Sequence, residues 1–381
     1  MSRRFVLSTV GIGLLLNSLK PEEKSQWQAQ ITHLSNVKDI SSDQAAFPKV
    51  QELLARAQAN LAEGGVTTRR RLSPELNGLY GLYGDQLSSD GDVHYLISTD
   101  TGLGRSSARI IEQFMRSQGM KTSIFVPDGL NTATVADFSK GIKQLLIWCE
   151  KTLPGYQESG YEVVFNLTAA FKSLQGYLNI MGMFYADQLL YIFEGSSEIL
   201  VIPRLPIRVD TELLLAHADR LALLAAGGEL PLKEITDMPE ALLKVDRHGN
   251  ATISEWGLLV WNRMKKVVLG RERLLSFPFL KYEQSFQKDF KNAAPRQRIS
   301  VQETLAEASV FLMNSGGNPN ILRGNGGKQY DNFTGVQKVD GCPIGHFRIN
   351  DGDRISCIAK GGILRLRHFG VHAYVEKMEC V

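Results

Sequence analysis

The chain has 381 residues, of which 43% are hydrophobic and 22% are charged, and its formal net charge is +3. This length excludes a single ordinary domain and predicts two or three, while the composition is that of a soluble protein with a well-packed core. The four cysteines are scattered without a CxxC pair, which argues against a disulfide or zinc framework and is typical of a reducing cytoplasm.

An apolar run lies near the start of the chain and extends from Phe5 to Leu16 after two arginines. A secretory signal has this position, but small and polar residues interrupt the run and no small-residue cleavage site follows. We therefore interpret it as a buried first strand followed by a glycine turn. No later stretch reaches the roughly 18–20 apolar residues needed to cross a membrane, so we expect a cytoplasmic protein without a membrane partner.

Residues 1–206 alternate strand-like apolar runs with amphipathic segments. The predicted strands are residues 5–11, 94–99, 121–127, 161–168 and 188–193. Helices are predicted around residues 48–61, 105–119, 138–153 and 171–186. Continuous apolar strands joined by helices predict a mostly parallel sheet that is covered on both faces. We therefore predict a Rossmann-like α/β domain over residues 1–206.

Residues 207–279 predict a helical middle module, with helices at 213–227 and 253–275 around a loop rich in Gly and Pro. Two interpretations of this module stay open. In the first it is a winged-helix-like DNA reader or a ribosome-docking arm. In the second it is a linker that transmits the ligand signal and has one helix face exposed to solvent. The basic residues that raise the first interpretation are Arg263, Lys265, Lys266, Arg271 and Arg273.

Residues 280–381 predict a small α+β domain. Phe286 and Phe290 lie four apart on a first helix, and the Ser-x-x-Glu pattern at 300–303 predicts a capping box that opens a second. Three short alternating strands follow, at residues 345–350, 353–359 and 363–370, and glycines between them predict an antiparallel meander.

Small polar residues follow three of the strands predicted in residues 1–206. Ligands of open α/β sheets bind at the carboxyl ends of the strands, and backbone amides, hydroxyls and a lysine suit an anion or phosphate. One such turn is usually only a turn, whereas three at equivalent ends of one sheet predict a nucleotide site. The candidate ligand-binding residues are Ser8, Thr9, Gly11, Thr99, Arg105, Thr168 and Lys172.

Three motifs carry a resemblance to a known family. LSTVGIGLLLN, LISTDTGLGRSSA and FNLTAAFKSLQG occur in the order found in the CARF domains of type III CRISPR-associated proteins, which residues 1–205 resemble. Where those domains usually have Asn-x-Thr-Gly-Gly-x-Lys, this chain has Ala169 and Ala170. The resemblance implies a homodimer that binds a cyclic oligoadenylate, most often cyclic tetra-adenylate, through Ser8, Thr9, Thr168 and Lys172. It also implies slow cleavage of that ligand.

The last hundred residues carry side chains suited to cutting RNA without a metal. From Lys281 onward there are 14 Lys and Arg against 10 Asp and Glu. By itself, this excess of positive charge is explained by a mildly basic folded domain. Attack of a ribose 2′-hydroxyl on its phosphate requires one proton acceptor, one proton donor and stabilisation of the phosphorane. The predicted meander offers His346, Arg348, Arg354, Arg365, Arg367, His368, His372 and Tyr374. No acidic cluster that would hold magnesium accompanies them. A solvated basic face remains the alternative.

EQSFQKDFKNAAPR, HFRINDGDRISCI and LRLRHFGVHAYVE resemble the RelE toxin family, which cleaves messenger RNA in the ribosomal A site. The resemblance covers about residues 283–376. It implies that Arg354 stabilises the transition state and that His372 is the general acid. Arg348 and His346 match strand positions that are usually Lys or Arg, and Tyr374 lies closer to His372 than the family's terminal Tyr does. The candidate catalytic residues are therefore Arg354, His372, Arg348, His346 and Tyr374. The general base stays open.

Together these patterns predict a CARF–RelE fusion that acts as an ancillary effector of a type III CRISPR system. Cyclic oligoadenylate would be its allosteric activator, with no other cofactor and no metal. The activated dimer would cleave messenger RNA on the ribosome and inhibit translation. Two alternatives stay open: a ligand-responsive transcription regulator, and a ring nuclease that ends signalling by degrading the ligand.

Overall fold

The computed structural model describes residues 3–40, 45–87, 91–193 and 196–379. The chain divides into two compact units, Met1–Ile207 and Arg208–Val381. In the described ranges, no helix has the length and apolar character needed to cross a bilayer.

A six-stranded sheet lies at the centre of the N-terminal unit. Its parallel strands are β1 (Arg4–Val10), β2 (Val93–Ser98), β3 (Lys121–Phe125), β4 (Glu162–Asn166) and β5 (Gln188–Ile192). An additional edge strand that the sequence patterns did not predict, β6 (Ile199–Pro203), is antiparallel to β5. The order β3-β2-β1-β4-β5-β6 confirms the predicted Rossmann-like α/β fold. The order of the strands reverses between β1 and β4, and such a reversal opens a crevice for ligands.

Helices cover both faces of this sheet. They are α1 (Gly13–Leu16), α2 (Pro21–His33), α3 (Phe47–Glu63), α4 (Val66–Leu72), α5 (Pro74–Leu82), α6 (Gly102–Ser117), α7 (Val135–Glu158) and α8 (Lys172–Tyr185). Helices α3, α5 and α6 pack their apolar residues against Val6 and Val164 on one face. On the other face, Phe5 stacks on Tyr95, which in turn contacts Trp148 of α7. Alternate residues of one strand therefore serve two separate cores.

The segment 207–279 is not wholly helical, so the prediction of a helical module is wrong in part. It contains α9 (Thr211–Leu215), α10 (Ala218–Ala225) and α11 (Glu255–Leu269), together with a three-stranded sheet of β7 (Leu230–Pro231), β8 (Leu243–Val245) and β9 (Asn250–Ile253). Asp246 accepts hydrogen bonds from the amides of His248 and Asn250, and this turn makes β8 and β9 a hairpin.

The remaining residues of the C-terminal unit form a five-stranded sheet in the order β10-β14-β13-β12-β11. The strands are β10 (Leu280–Tyr282), β11 (Asp331–Asn332), β12 (Ile344–Arg348), β13 (Asp353–Lys360) and β14 (Ile363–Val371). Strands β12, β13 and β14 are antiparallel neighbours, so the predicted meander is present. The accompanying helices are α12 (Gln284–Asn292), α13 (Pro295–Asn314) and α14 (His372–Glu379).

Helix α13 begins at Pro295, five residues before Ser300. The prediction that a capping box at 300–303 opens this helix is therefore wrong. Pro295 occupies its first turn, and the Gln297 side chain accepts a hydrogen bond from the backbone amide of Ala294. Ser300 lies inside the helix, where its hydroxyl donates to the Arg296 carbonyl. A proline at the first helical position suits a helix start because its missing N–H is not needed there.

The segment predicted as a middle module belongs to the same unit as the C-terminal sheet, and α10 and α11 both pack against α13. Three of its basic residues are ion-paired. Lys265 lies 3.2 Å from Glu303, Arg271 lies 2.7 Å from Glu212, and Arg273 lies 3.3 Å from Asp219. Arg271 and Arg273 lie beyond the end of α11, and exposed ion pairs of this kind are weak, so both interpretations of the segment stay open.

Candidate functional site

A pocket of about 400 Å³ opens on the C-terminal sheet. Its lining residues are Arg323, Gln329, Tyr330, Asp331, His346, Arg348, Arg354 and His372. Four of the five predicted catalytic residues are thus brought together. Arg348 is the direct cross-strand partner of Arg354, His346 lies two residues before Arg348, and α14 begins at His372 immediately after β14.

Arg354 is a buried cation, with 7% of its surface exposed. Its Nη1 donates to three backbone carbonyls, those of Asn350 at 2.7 Å, Asp353 at 3.0 Å and Asp351 at 3.4 Å. Burial, together with repulsion from Arg348, lowers the pKa of the guanidinium from its ordinary value. Within the described residues no carboxylate forms an ion pair with it, so its charge is available to an anion in the pocket.

The turn between β12 and β13 positions two of the pocket side chains. The Asn350 side-chain oxygen accepts from the amides of Gly352 and Asp353, both at 2.8 Å. The Asn350 carbonyl holds Arg354, and the Gly352 carbonyl accepts from the His372 amide at 3.0 Å. Asn350 was not among the predicted site residues, although an Asn-Asp-Gly-Asp sequence between two strands is a signal for such a turn.

His346 has the properties of a proton acceptor. Burial first, then the positive charges of His372 and Arg354, lower the pKa of its imidazole. Its Nδ1 is buried and has no hydrogen-bond partner in the described part of the chain. The ring lies 4.4 Å from that of Phe333 and 6.1 Å from that of His372, measured between centroids. A neutral imidazole therefore lies beside a second, more exposed one.

His372 is the accessible member of this pair. Its side chain is 47% exposed, and its Nε2 lies 3.3 Å from the Glu376 carboxylate one turn further along α14. His372 is thus open to solvent at the pocket and lies beside a carboxylate of its own helix.

Tyr374, the fifth predicted catalytic residue, lies outside the pocket lining. Its hydroxyl donates to Asp289 at 2.7 Å, and burial and that carboxylate raise the pKa of Tyr374 to about 12. A role for Tyr374 in the reaction is therefore not supported by its position. His368 is likewise occupied, since its Nδ1 lies 2.9 Å from the same carboxylate.

Arg365 and Arg367 are neutralised by acids and are also absent from the pocket. Arg365 pairs with Glu283 and Asp340, and Arg367 pairs with Glu283 and the buried Glu379. These partners lie at the N-cap of α12, on a loop and on α14, so the strand pattern alone did not reveal them. Sequence reasoning missed four pocket residues. Arg323, Gln329 and Tyr330 come from a glycine-rich segment without a periodic pattern, and Asp331 begins the short strand β11.

In the N-terminal unit, Asn166 joins the ends of β1 and β4 at the crevice. Its amide donates to the Ser8 hydroxyl at 3.1 Å and to the Glu75 carbonyl at 2.9 Å, and its oxygen accepts from the Thr168 hydroxyl at 2.8 Å. The Gly11 amide donates to the buried Glu75 carboxyl at 3.0 Å. Three predicted ligand-binding residues thus belong to one hydrogen-bonded network.

The remaining predicted ligand-binding residues differ in access. Thr9 is 1% exposed and its hydroxyl has no partner in the described residues, whereas Lys172 is exposed at the start of α8. Arg105 is paired with the buried Asp100, and the Thr99 hydroxyl is bonded to that of Thr101 at 2.9 Å. Lys172 is therefore accessible from solvent, whereas the Thr9 hydroxyl is buried.

Gly78 is predicted to be essential to the Asn166 network. A Cβ built on Gly78 would lie 2.2 Å from the Asn166 side-chain oxygen. We expect Gly78→Ala to lower the free energy of unfolding by about 1–3 kcal/mol, because an added methyl group must displace packed atoms. Gly176→Ala is the matched control, since no atom lies within 4 Å of a Cβ there. Urea unfolding of both variants tests this, and equal stabilities would contradict it.

Residues 70–205 match the family described as CRISPR-associated protein (Cas_APE2256). This part of the chain is similar to a CRISPR-associated protein. The match begins within α4 and ends just after β6, so it includes Thr168 and Lys172 but neither β1 nor the C-terminal unit. The predicted CRISPR association is supported by this match. No curated protein matches the chain.

Proposed function

We propose that this protein is a CARF-type ancillary effector of a type III CRISPR system whose C-terminal unit is a metal-independent endoribonuclease. The observation that carries the nuclease proposal is the pocket in which His346 and His372 lie beside Arg348 and Arg354. The family match of residues 70–205 supports the CRISPR association of the N-terminal unit.

The two histidines suit the two proton transfers of RNA cleavage. The substrate's 2′-hydroxyl attacks the adjacent phosphorus, its proton passes to neutral His346, and the bond to the 5′-oxygen breaks. That oxygen takes a proton from His372, leaving a 2′,3′-cyclic phosphate and a 5′-hydroxyl. The lowered pKa of His346 supports its assignment as the base, and the exposed position of His372 on the pocket lining supports its assignment as the acid. The general base that the sequence left open is therefore proposed to be His346.

The arginines suit the charge that develops on the phosphate. Three of them line the pocket, Arg323, Arg348 and Arg354, against a single acid, Asp331. Because Arg354 is held by carbonyls rather than by an acid, its charge is oriented before the substrate arrives. Preorganised donors of this kind stabilise a transition state without reorganisation during the reaction.

The activating ligand is proposed to be a cyclic oligoadenylate, with cyclic tetra-adenylate as the first candidate, bound across a homodimer. The crevice between β1 and β4 supports an anionic ligand, because Lys172 and the amides at the start of α8 lie at the ends of parallel strands. Binding would shift the dimer toward its active state by preferring that state. Slow cleavage of the ligand by Thr168 and Lys172 is a proposed secondary activity.

The substrate is proposed to be messenger RNA on the ribosome, which would supply the substrate geometry as it does for the RelE family. A translation extract with and without cyclic tetra-adenylate tests the whole proposal. We expect ligand-dependent cleavage of message by the wild type, none by Arg354→Met, and loss of the ligand response in Lys172→Ala. Primer extension locates the cuts.

Other outcomes would overturn the proposal in distinguishable ways. Ligand-dependent binding of duplex DNA with uncut message would identify a transcription regulator. Rapid consumption of ligand with uncut message, abolished in Lys172→Ala, would identify a ring nuclease. Cleavage of free RNA with message on ribosomes left intact would reject the RelE-type assignment.

A further inference from the structure

Helix α14 presents His372 to the pocket and is held against the sheet near both of its ends. Near its C-terminal end, the buried Glu379 accepts hydrogen bonds from Ser356 at 2.7 Å and from Arg367 at 3.0 Å. In its first turn, Tyr374 donates to Asp289 at 2.7 Å. The first turn, which carries His372, is therefore held by the Gly352 carbonyl through its backbone and by a carboxylate from another helix through a side chain.

Asp289 gathers donors from two elements. Its Oδ2 accepts from the Phe369 amide at 3.3 Å and lies 2.9 Å from the His368 Nδ1, while its Oδ1 accepts from Tyr374. We call Asp289 with these three residues the Asp289 cluster. The side chain of Asp289 is 13% exposed, and its own position is set by the fully packed Phe290 next to it on α12. Such a carboxylate orients its donors strongly because its charge is partly removed from water.

The Tyr374 ring fills the space above Gly370. A Cβ on Gly370 would lie 3.1 Å from the Tyr374 Cδ1 atom, so the strand leaves room for this ring. Gly370 is the cross-strand partner of Arg354. The Tyr374 ring of the Asp289 cluster thus packs on the strand position opposite Arg354, and Tyr374 follows His372 by two residues along α14.

From this geometry we infer that Asp289 is a positioning residue for His372: by holding the Tyr374 hydroxyl it sets where the first turn of α14 places the imidazole in the pocket. Asp289 itself does not line the pocket. The inference rests on the proposed role of His372 in RNA cleavage. It assigns Tyr374 a positioning role in place of the catalytic one that its sequence position predicted.

The alternative is that the Asp289 cluster merely stabilises the fold, and Tyr374→Phe separates the two. This change removes the hydroxyl and keeps the ring on Gly370. With ligand-activated full-length protein on translating ribosomes, we expect kcat to fall about 10-fold with KM unchanged, since a small misplacement of a reacting group is costly. The melting temperature should fall by only a few degrees, about the cost of one hydrogen bond to a charged group, so the protein stays folded in the assay.

Two further variants sharpen the test. Lys377→Gln is the matched control, because it changes an exposed residue of α14 outside the cluster, and its kcat should equal that of the wild type. Asp289→Ala should reduce kcat at least as much as Tyr374→Phe, and adding Tyr374→Phe to it should cost nothing more, because residues that act through one contact are not additive. If the losses of kcat in the two single variants multiplied in the double variant, the inference would be overturned. A change in KM with kcat unchanged would also overturn it.

A readout independent of RNA cleavage keeps this inference separate from the proposed function. In full-length protein labelled at histidine Cε1, the His372 resonance should shift in Tyr374→Phe and in Asp289→Ala and stay in place in Lys377→Gln. An unmoved His372 resonance in the first two variants would overturn the positioning role. If the wild type cuts no RNA, the proposed function fails, and the resonance still decides whether Asp289 positions His372.

Discussion

Replacing Arg354 with methionine is expected to lower kcat for ligand-activated RNA cleavage by about 10²–10³-fold, the usual loss when one preorganised charge donor is removed. Arg354 is buried, is held by three carbonyls of the β12–β13 turn, and has no acid partner among the described residues. Its charge is therefore available to an anion in the pocket, which we propose to be the phosphate of RNA. Quantitative primer extension on ribosome-bound message measures the effect.

Two controls distinguish this loss from a folding defect. Lys360→Met removes one positive charge from the exposed end of the same strand and should leave kcat unchanged. Arg354→Lys keeps the charge but loses the planar donor set. It should therefore have a kcat between those of Arg354→Met and the wild type, with a melting temperature close to that of the wild type. Full activity in Arg354→Met would show that the pocket is not where RNA is cut.

Replacing His346 with glutamine is expected to lower kcat by about 10²–10⁴-fold, the range for a general base or acid. The pH dependence of the wild type follows from the same residue. A general base must be neutral, and burial with two cationic neighbours lowers the pKa of His346. Activity should therefore persist below about pH 6.5, the ordinary histidine value, and be lost as the pH falls through the lowered pKa.

The neighbours of His346 provide the matched test of this assignment. His372→Gln and Arg354→Met each remove a charge that disfavours protonation of His346, so each should raise its pKa. Titration of the His346 resonance by NMR measures this directly, without any RNA. An unchanged or lowered midpoint in both variants would contradict the arrangement of charges in the pocket.

The sequence was most informative where structure depends on neighbours along the chain. Alternating residues placed the strands of the meander, and residues two apart on one strand, such as His346 and Arg348, share a face. Apolar runs between helices predicted the parallel sheet, and the polar ends of β1 and β4 are brought together at the crevice, where Asn166 bonds to Ser8 and to Thr168. The sequence of residues 70–205 also matches a family of CRISPR-associated proteins.

Tertiary structure decided which charged side chains are free to act. Arg354 and Arg365 lie on adjacent strands and cannot be distinguished by strand periodicity. Arg365 is neutralised by Glu283, 82 residues away, whereas Arg354 is held by a local turn. Asp289 engages Tyr374 across 85 residues. Periodicity depends on the repeat of the backbone and is therefore local, but a charge is paired or free according to groups that only the folded chain brings within a few ångströms.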